Sequence, residues 1–227
     1  MLRKVLSEIS DINHKDASGD NGSSVSVKGE CSFCGELIRS VRVSSLDDGR
    51  MMCHHCEKLI VSDEEKLDEL FDAAVAYLAS EFGAAISENI KVRFATADSI
   101  RLRMRTGEER VVLGFADPNS RELWVESDAP ATNLSEVIVH ELTHFWQFDN
   151  IKTEEVELEY IEGQASYVEV QYLRRLGQGD RADKTEAALE RRDDPYGRGF
   201  RRLKQELADR GDSNSFSYMR TLGSIPT

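Results

Sequence analysis

No run of eighteen apolar residues occurs in this chain of 227, which excludes a membrane-spanning helix. The opening Met1-Leu2-Arg3-Lys4 passes into polar sequence without the apolar core of a secretory signal, so the expected compartment is the cytoplasm, where disulfides are not maintained. Positive charge is outnumbered: 29 Lys and Arg stand against 42 Asp and Glu, a formal net charge of −13. Such a balance argues against a nucleic-acid partner. The local basic groups, Arg101 with Arg103 and Arg105, and Arg198 with Arg201, Arg202 and Lys204, read as solvated faces that could still touch phosphate or an acidic partner. No internal repeat is apparent, and the length suits one substantial core plus a small module. Cysteine and histidine are scarce as well, four and five residues, and their positions carry most of the chemistry.

All four cysteines fall in one pattern, Cys31-x2-Cys34 and then Cys53-x2-Cys56. Two such knuckles offer four thiolates, enough for a closed tetrahedral zinc site that does no chemistry. The segment around them, residues 30–62, is too small to bury a sufficient core by itself, and a structural Zn²⁺ would fold it. His54 and His55 adjoin Cys53 and read as surface residues, because four cysteines already satisfy the ion.

The other informative stretch is His140-Glu141-Leu142-Thr143-His144. Two imidazoles four residues apart lie on one face of a helix and can reach one Zn²⁺, while the glutamate after the first can hold a water beside it. Asn133 and Glu136 are spaced as N-cap and reciprocal partner, and Leu134, Val137, Ile138, Leu142, Phe145 and Trp146 give that helix apolar character on more than one side. A second helical pattern starts near Thr153 and closes at Gly177. In it Ile161, Ala165, Val168 and Tyr172 form a stripe with Glu162 beside it, the expected third ligand. Glu159 and Glu169 are the competing carboxylates; Glu154, Glu155 and Glu157 read as water-facing. Three protein ligands leave a position for water, which Zn²⁺ acidifies and Glu141 can deprotonate as the water attacks a carbonyl; Glu141 then returns the proton to the leaving amine. With His14, His54 and His55 elsewhere, the donor to the oxyanion should be a tyrosine or an arginine. Tyr196 is the candidate, in Tyr196-Gly197-Arg198-Gly199-Phe200, whose glycines permit a tight turn toward the cleft; packing under a loop would explain it equally well.

These signals order the chain into a flexible leader (1–29), a structural zinc finger (30–62) and a zinc metallopeptidase domain (63–227). From Asp63 to Gly83 the pattern predicts a helix with Leu67, Leu70, Phe71, Ala74, Val75 and Leu78 inward. Strands are expected at Lys91–Ala95, 99–105, 110–115 and Glu122–Glu126, with the turn Asp117-Pro118-Asn119-Ser120 between the last two. The last strand, just before the metal helix, is the candidate cleft edge to which an extended substrate adds itself; its Trp124 is expected in the core. Helix is expected around 185–192 and again at 199–208. The fold class is therefore α+β, a small sheet and active-site helices behind a cysteine module.

Taken together, the cysteine pattern with Asp48-Gly49-Arg50 ahead of Cys53, the pentad followed by Phe145-Trp146, Glu162-Gly163, Tyr196-Gly197-x-Gly199-Phe200-Arg201 and a closing Gly223-Ser224-Ile225-Pro226 resemble the DA-one type LIM-module zinc peptidases, in a shortened form. The resemblance covers about residues 30–227. It implies a gluzincin-like peptidase domain behind a LIM-like module, with His140, His144 and Glu162 on catalytic zinc and Glu141 as base. Members of that family carry a fuller two-zinc LIM domain and ubiquitin-interacting motifs ahead of it, whereas this chain has four cysteines, enough for one zinc. The expected function is a zinc-dependent endopeptidase acting on protein substrates, with the finger recognising substrate or a protein activator. Two alternatives share parts of the reading: a cytosolic regulatory protease that cleaves a transcriptional repressor, and an inert zinc-finger adaptor.

Overall fold

The computed structural model describes residues 29–39, 43–46, 48–104 and 113–223. The expected leader, apart from Gly29, lies outside the described residues, as do Arg105 and the first part of the strand expected at 110–115. What is described is a mixed α+β protein with the cysteines gathered near its N-terminal end.

Two short antiparallel ladders build the cysteine module: β1 (Gly29–Glu30) against β2 (Leu37–Ile38), and β3 (Ser44–Ser45) against β4 (Met51–Met52). Gly35 and Gly49 turn the chain with φ of 73° and 83°, the left-handed region that glycine enters without steric cost. A one-turn helix, α1 (His54–Glu57), follows with Cys53 as its N-cap. Of the module's apolar side chains, Phe33, Ile38 and Met52 are buried in the same core as the rest of the protein. Its end is tied to the helical part by main-chain bonds, Val61 N–H to Ala129 O at 3.2 Å and Ala131 N–H to Leu59 O at 2.8 Å.

Helix α2 (Glu64–Phe82) begins where the Asp63 side chain accepts from Lys66 N–H at 2.7 Å and ends at Gly83, whose φ is 63°. Leu67, Leu70, Ala74 and Leu78 are buried as expected, and Ala73 and Tyr77 join them, while Phe71 and Val75 are half-buried. The sheet has three strands, β5 (Lys91–Ala95), β6 (Gly114–Asp117) and β7 (Glu122–Glu126), in the order β5-β7-β6. β5 runs parallel to β7, and β6 antiparallel to it. Three expectations are corrected here. Residues Ala97–Met104 form a helix, α3, instead of a strand. Thr96 Oγ1 accepts from Ser99 N–H at 3.2 Å and Asp98 pairs with Arg101 at 2.6 Å, local bonds that outweigh the alternating pattern; Ile100 of that pattern is buried, and Leu102 is 81 % exposed. Among the described residues β7 is the central strand, and the edge strand that lines the cavity is β6. Trp124 consequently lies half-buried on the sheet, with the Arg103 guanidinium 4.0 Å above its ring, and not in the core.

Helix α4 (Ala131–Asn150) carries the pentad. Leu134, Ile138, Val139, Leu142, Phe145 and Trp146 are all buried, which makes it the central helix. It starts at Ala131 with Pro130 as N-cap, not at Asn133. Asn133 and Glu136 are engaged elsewhere: Asn133 Nδ2 donates to Phe33 O at 3.3 Å, and Glu136 pairs with Arg181. A 3₁₀ turn (Thr153–Glu155) leads to α5 (Leu158–Arg175), followed by α6 (Gly179–Arg191), α7 (Pro195–Arg210) and α8 (Ser215–Leu222). α5 packs on both α4 and α7. The glycines near Tyr196 make no tight turn; they lie in the first turns of α7, where Asp194 caps Gly197 N–H at 3.0 Å. Their role is close approach, because a Cβ on Gly163 would sit 2.3 Å from the Gly199 carbonyl carbon, and one on Gly199 would sit 1.7 Å from Glu159 O.

Gly163→Ala should therefore overpack the α5–α7 contact and destabilise the fold by about 1–3 kcal/mol, lowering the thermal midpoint by several degrees. An unchanged melting curve would show that the two helices can separate freely.

Candidate metal centres

Helix geometry places His140 and His144 one turn apart on α4, and α5 crosses in front of them. Their side chains are each 12 % exposed; Nε2 of His140 lies 3.6 Å and Nε2 of His144 3.5 Å from Glu162 Oε2. The three donor atoms fall within 4.8 Å of one another and could hold a metal ion. A tetrahedral zinc site with nitrogen and oxygen ligands at about 2.0–2.1 Å has ligand–ligand edges of about 3.3–3.4 Å, close to these separations. Glu162 Oε2 is also buried without a hydrogen-bond partner among the described residues. A buried carboxylate oxygen in that state needs a cation.

The remaining imidazole nitrogens are committed in the way metal ligation requires. His140 Nδ1 lies 3.3 Å from Glu169 Oε2, and His144 Nδ1 lies 2.7 Å from Gln147 Oε1. Gln147 is itself fixed, its Nε2 donating to Ile161 O and to Gln164 Oε1, both at 2.9 Å. In the tautomer that donates Nδ1–H to these acceptors, the Nε2 that faces Glu162 is the nitrogen left for a metal ion. Burial opposes a charge on His140, but Glu162, Glu169 and Glu141 outweigh it and raise its pKa to about 10 in the metal-free protein. Burial likewise pushes the Glu162 carboxyl up, and the two imidazoles more than reverse this, holding it well below the usual range. The pocket is thus built for positive charge.

Glu141, one residue past His140, is directed to the sheet: its Oε2 accepts from Ala116 N–H of β6 at 2.9 Å. β6 approaches because residue 114 is glycine, where a Cβ would meet Val137 Cγ1 at 2.2 Å. A cavity of about 770 Å³ opens over His140, Glu141, His144 and Glu162, with Gly114 and Ala116 on one wall and Tyr196 on another. The Tyr196 ring stacks on His140 with centroids 6.1 Å apart, and the Arg192 guanidinium lies 4.8 Å from the centroid of the same ring. Burial, with Glu162 and Glu141 adding to it, raises the Tyr196 pKa, so its phenol stays a proton donor.

Of the competing carboxylates, Glu169 enters the site as a partner of His140. Glu159 does not, being paired with Arg198 at 2.6 Å. Glu155 pairs with Lys152 and Glu157 with Arg202, and Glu154 is exposed. Sequence reasoning missed the orienting roles of Gln147 and Glu169, although spacing held a signal: Gln147 is three residues past His144, and Glu169 two turns past Glu162 on the same face. It also missed the Ala116 amide, which no pattern marks.

The second group is Cys31, Cys34, Cys53 and Cys56, whose sulfurs also lie within 4.8 Å of one another. All four are free thiols. Cys34 Sγ and Cys53 Sγ are 3.8 Å apart, too far for a disulfide and equal to the edge of a tetrahedron with zinc–sulfur bonds of about 2.3 Å. A hydrogen bond from Cys56 lowers the Cys34 thiol to about 5, so the cluster already favours a thiolate. His54 and His55 lie outside this group; His54 Nδ1 is 3.2 Å from Glu57 Oε2.

Comparison with protein-family models, with curated proteins and with solved structures returned no match.

Metal analysis of the purified chain should find about two ions, one for each group. Glu162→Ala should remove one of them. Glu169→Gln should keep both but weaken the histidine site by about ten- to a hundredfold, read by competition with a chromophoric chelator; equal affinity would mean that Glu169 does not orient His140.

Proposed function

We propose that the chain is a zinc-dependent endopeptidase, gluzincin-like in its catalytic part, with a LIM-like cysteine finger. The observation that carries the reading is the convergence of His140, His144 and Glu162 within 4.8 Å in a cavity that Glu141 also lines. His140, His144 and Glu162 would hold the catalytic ion, and the four cysteines a structural one. When bound, zinc supplies a Lewis acid that polarises a carbonyl and acidifies water. Every other part falls to side chains and main chain of this protein.

Glu141 is the base. Its carboxylate is held at the mouth of the cavity by the Ala116 amide, free of any metal-ligand role, and can take a proton from water and deliver it to a leaving amine. Tyr196, kept protonated by burial and by its acidic neighbours, donates to the developing oxyanion. Glu169 and Gln147 hold the imidazoles in one tautomer. Leu113 O accepts from Glu126 N–H at 2.8 Å, and register then makes Phe115 and Asp117 the residues bonded to β7. Gly114 and Ala116 alternate with them and turn their main-chain groups toward the cavity, where an extended substrate strand can be aligned.

The acidic composition and the internal pairing of the basic residues support a protein substrate over nucleic acid. Arg198, Arg202 and Lys204 are bonded to Glu159, Glu157 and Glu186, and Arg201 donates to carbonyls at the end of α6. Among the described residues, no helix is long and apolar enough to cross a membrane. A cytoplasmic setting and a protein activator acting through the finger complete the proposal.

Glu141→Gln should retain both metals and the fold yet lose cleavage of a protein substrate by about 10²–10⁴ in kcat. Tyr196→Phe should lower kcat by about 10²–10³ with little change in KM. Undiminished cleavage by Glu141→Gln would remove the assigned mechanism, whereas a metal-loaded wild type that cleaves nothing would leave the adaptor reading.

A further inference from the structure

The cysteine module and the histidine site meet at one side chain. Arg181, on α6, directs its guanidinium at two elements at once. Nε donates to Glu136 Oε1 at 2.7 Å and Nη2 bonds Glu136 Oε2, while Nη1 donates to Phe33 O at 2.8 Å. Phe33 lies inside the first cysteine knuckle, between Cys31 and Cys34, and is itself buried. Its carbonyl accepts a second bond from Asn133 Nδ2 of α4 at 3.3 Å. Glu136 stands one turn before His140 on α4 and lines the same cavity as His140 and Glu169. α6 also partitions two cavities: Thr185 and Ala188 line both the one over the histidines and a second one against the cysteines.

Glu136 is 7 % exposed, so its charge depends on the arginine fork. It lines the cavity together with Glu169, the carboxylate beside His140 Nδ1. If the fork moves, Glu136 loses its partner beside the group that orients a candidate ligand.

We propose that Arg181 is a positioning residue through which the cysteine module sets the geometry of the histidine centre. The knuckle fixes the Phe33 carbonyl, that carbonyl and Glu136 together fix the guanidinium, and the guanidinium in turn anchors Glu136 on α4 one turn before His140. Filling the cysteine centre then tightens metal binding at the histidines, a coupling between two sites that share no ligand. This rests on the reading of His140, His144 and Glu162 as metal ligands.

The test uses the full chain loaded with Co²⁺. The thiolate-to-cobalt charge-transfer band reports the cysteine centre, and the d–d absorption that remains after subtracting the spectrum of the Glu162→Ala chain, filled at the cysteines alone, reports the histidine centre. Arg181→Lys keeps the charge but lacks the fork that spans Glu136 and Phe33 O. Its charge-transfer band should match the wild type, while the histidine-centre d–d bands shift and the cobalt affinity there falls tenfold or more. A folded Arg181→Lys protein with an unchanged histidine-centre spectrum and affinity overturns the proposal. Should that variant not fold, Arg181→Met combined with Glu136→Gln removes both charges together and is read by the same bands, with the same two outcomes. Wild-type protein that takes cobalt at the cysteines alone defeats the metal-ligand reading itself, and this inference with it.

Discussion

Glu162 brings a carboxylate into the crossing of α4 and α5, and much of the surrounding structure makes that charge tolerable. An isolated carboxylate there would be protonated or expelled. Here two imbedded imidazoles face it at 3.5 and 3.6 Å, each held from behind by an acceptor on a buried or half-buried side chain. The α4–α5 crossing is fixed by Gln147, which links His144 to the α5 main chain, and the α5–α7 contact by a glycine pair that lets two backbones touch. The tilt of α5 thus depends on residues that are themselves uncharged, and the charge is placed by packing.

The same logic governs the join between the two parts of the chain. The cysteine module buries Phe33, Ile38 and Met52 in a core that belongs mainly to the helices, so it cannot be a bead on a string. Its polar loops need partners across the seam, and arginines provide them from both sides. Arg50 of the module reaches Glu126 at the end of β7, with Nη1 to Oε2 at 3.0 Å, and lies over the Phe33 ring at 5.1 Å. Arg181 of the helical part reaches back to the Phe33 carbonyl. Planar forks with several donors suit such a seam better than lysines, because each satisfies more than one buried acceptor.

How much was legible in the sequence varied with the range of the forces involved. Helix α2 could be read from Asp63 to Gly83 because capping is local. The pentad's helix could be read from its apolar residues, but its start could not: Asn133 and Glu136 match a cap pattern, and tertiary partners 100 and 45 residues away took both side chains. Residues 99–105 alternate like a strand, yet a Thr96 cap and the Asp98–Arg101 pair favour a helix over Ala97–Met104. Strand β7 was placed correctly as a strand and wrongly as the edge, since sheet order is a long-range property that no window of sequence contains. Glu162 was favoured over Glu159 and Glu169 by its place beside an apolar stripe. The structure brings Glu162 to the histidines and turns Glu159 to Arg198, because Arg198 sits across the glycine contact from it.

The position of Glu141 follows from the helix itself. At 100° per residue, His144 lies about 40° around the helix from His140, whereas Glu141 lies about 100° away. It therefore cannot share the ligand face and must face whatever packs alongside, which is the edge strand β6. Gly114 lets that strand come close enough for the Ala116 amide to hold the carboxylate at 2.9 Å. One oxygen of this carboxylate is thus tied to main chain, on a residue that lines the cavity. Replacing Gly114 by any residue with a Cβ would push β6 off α4 and free Glu141 to swing, so the spacing of the pentad and a glycine 27 residues before Glu141 form one device.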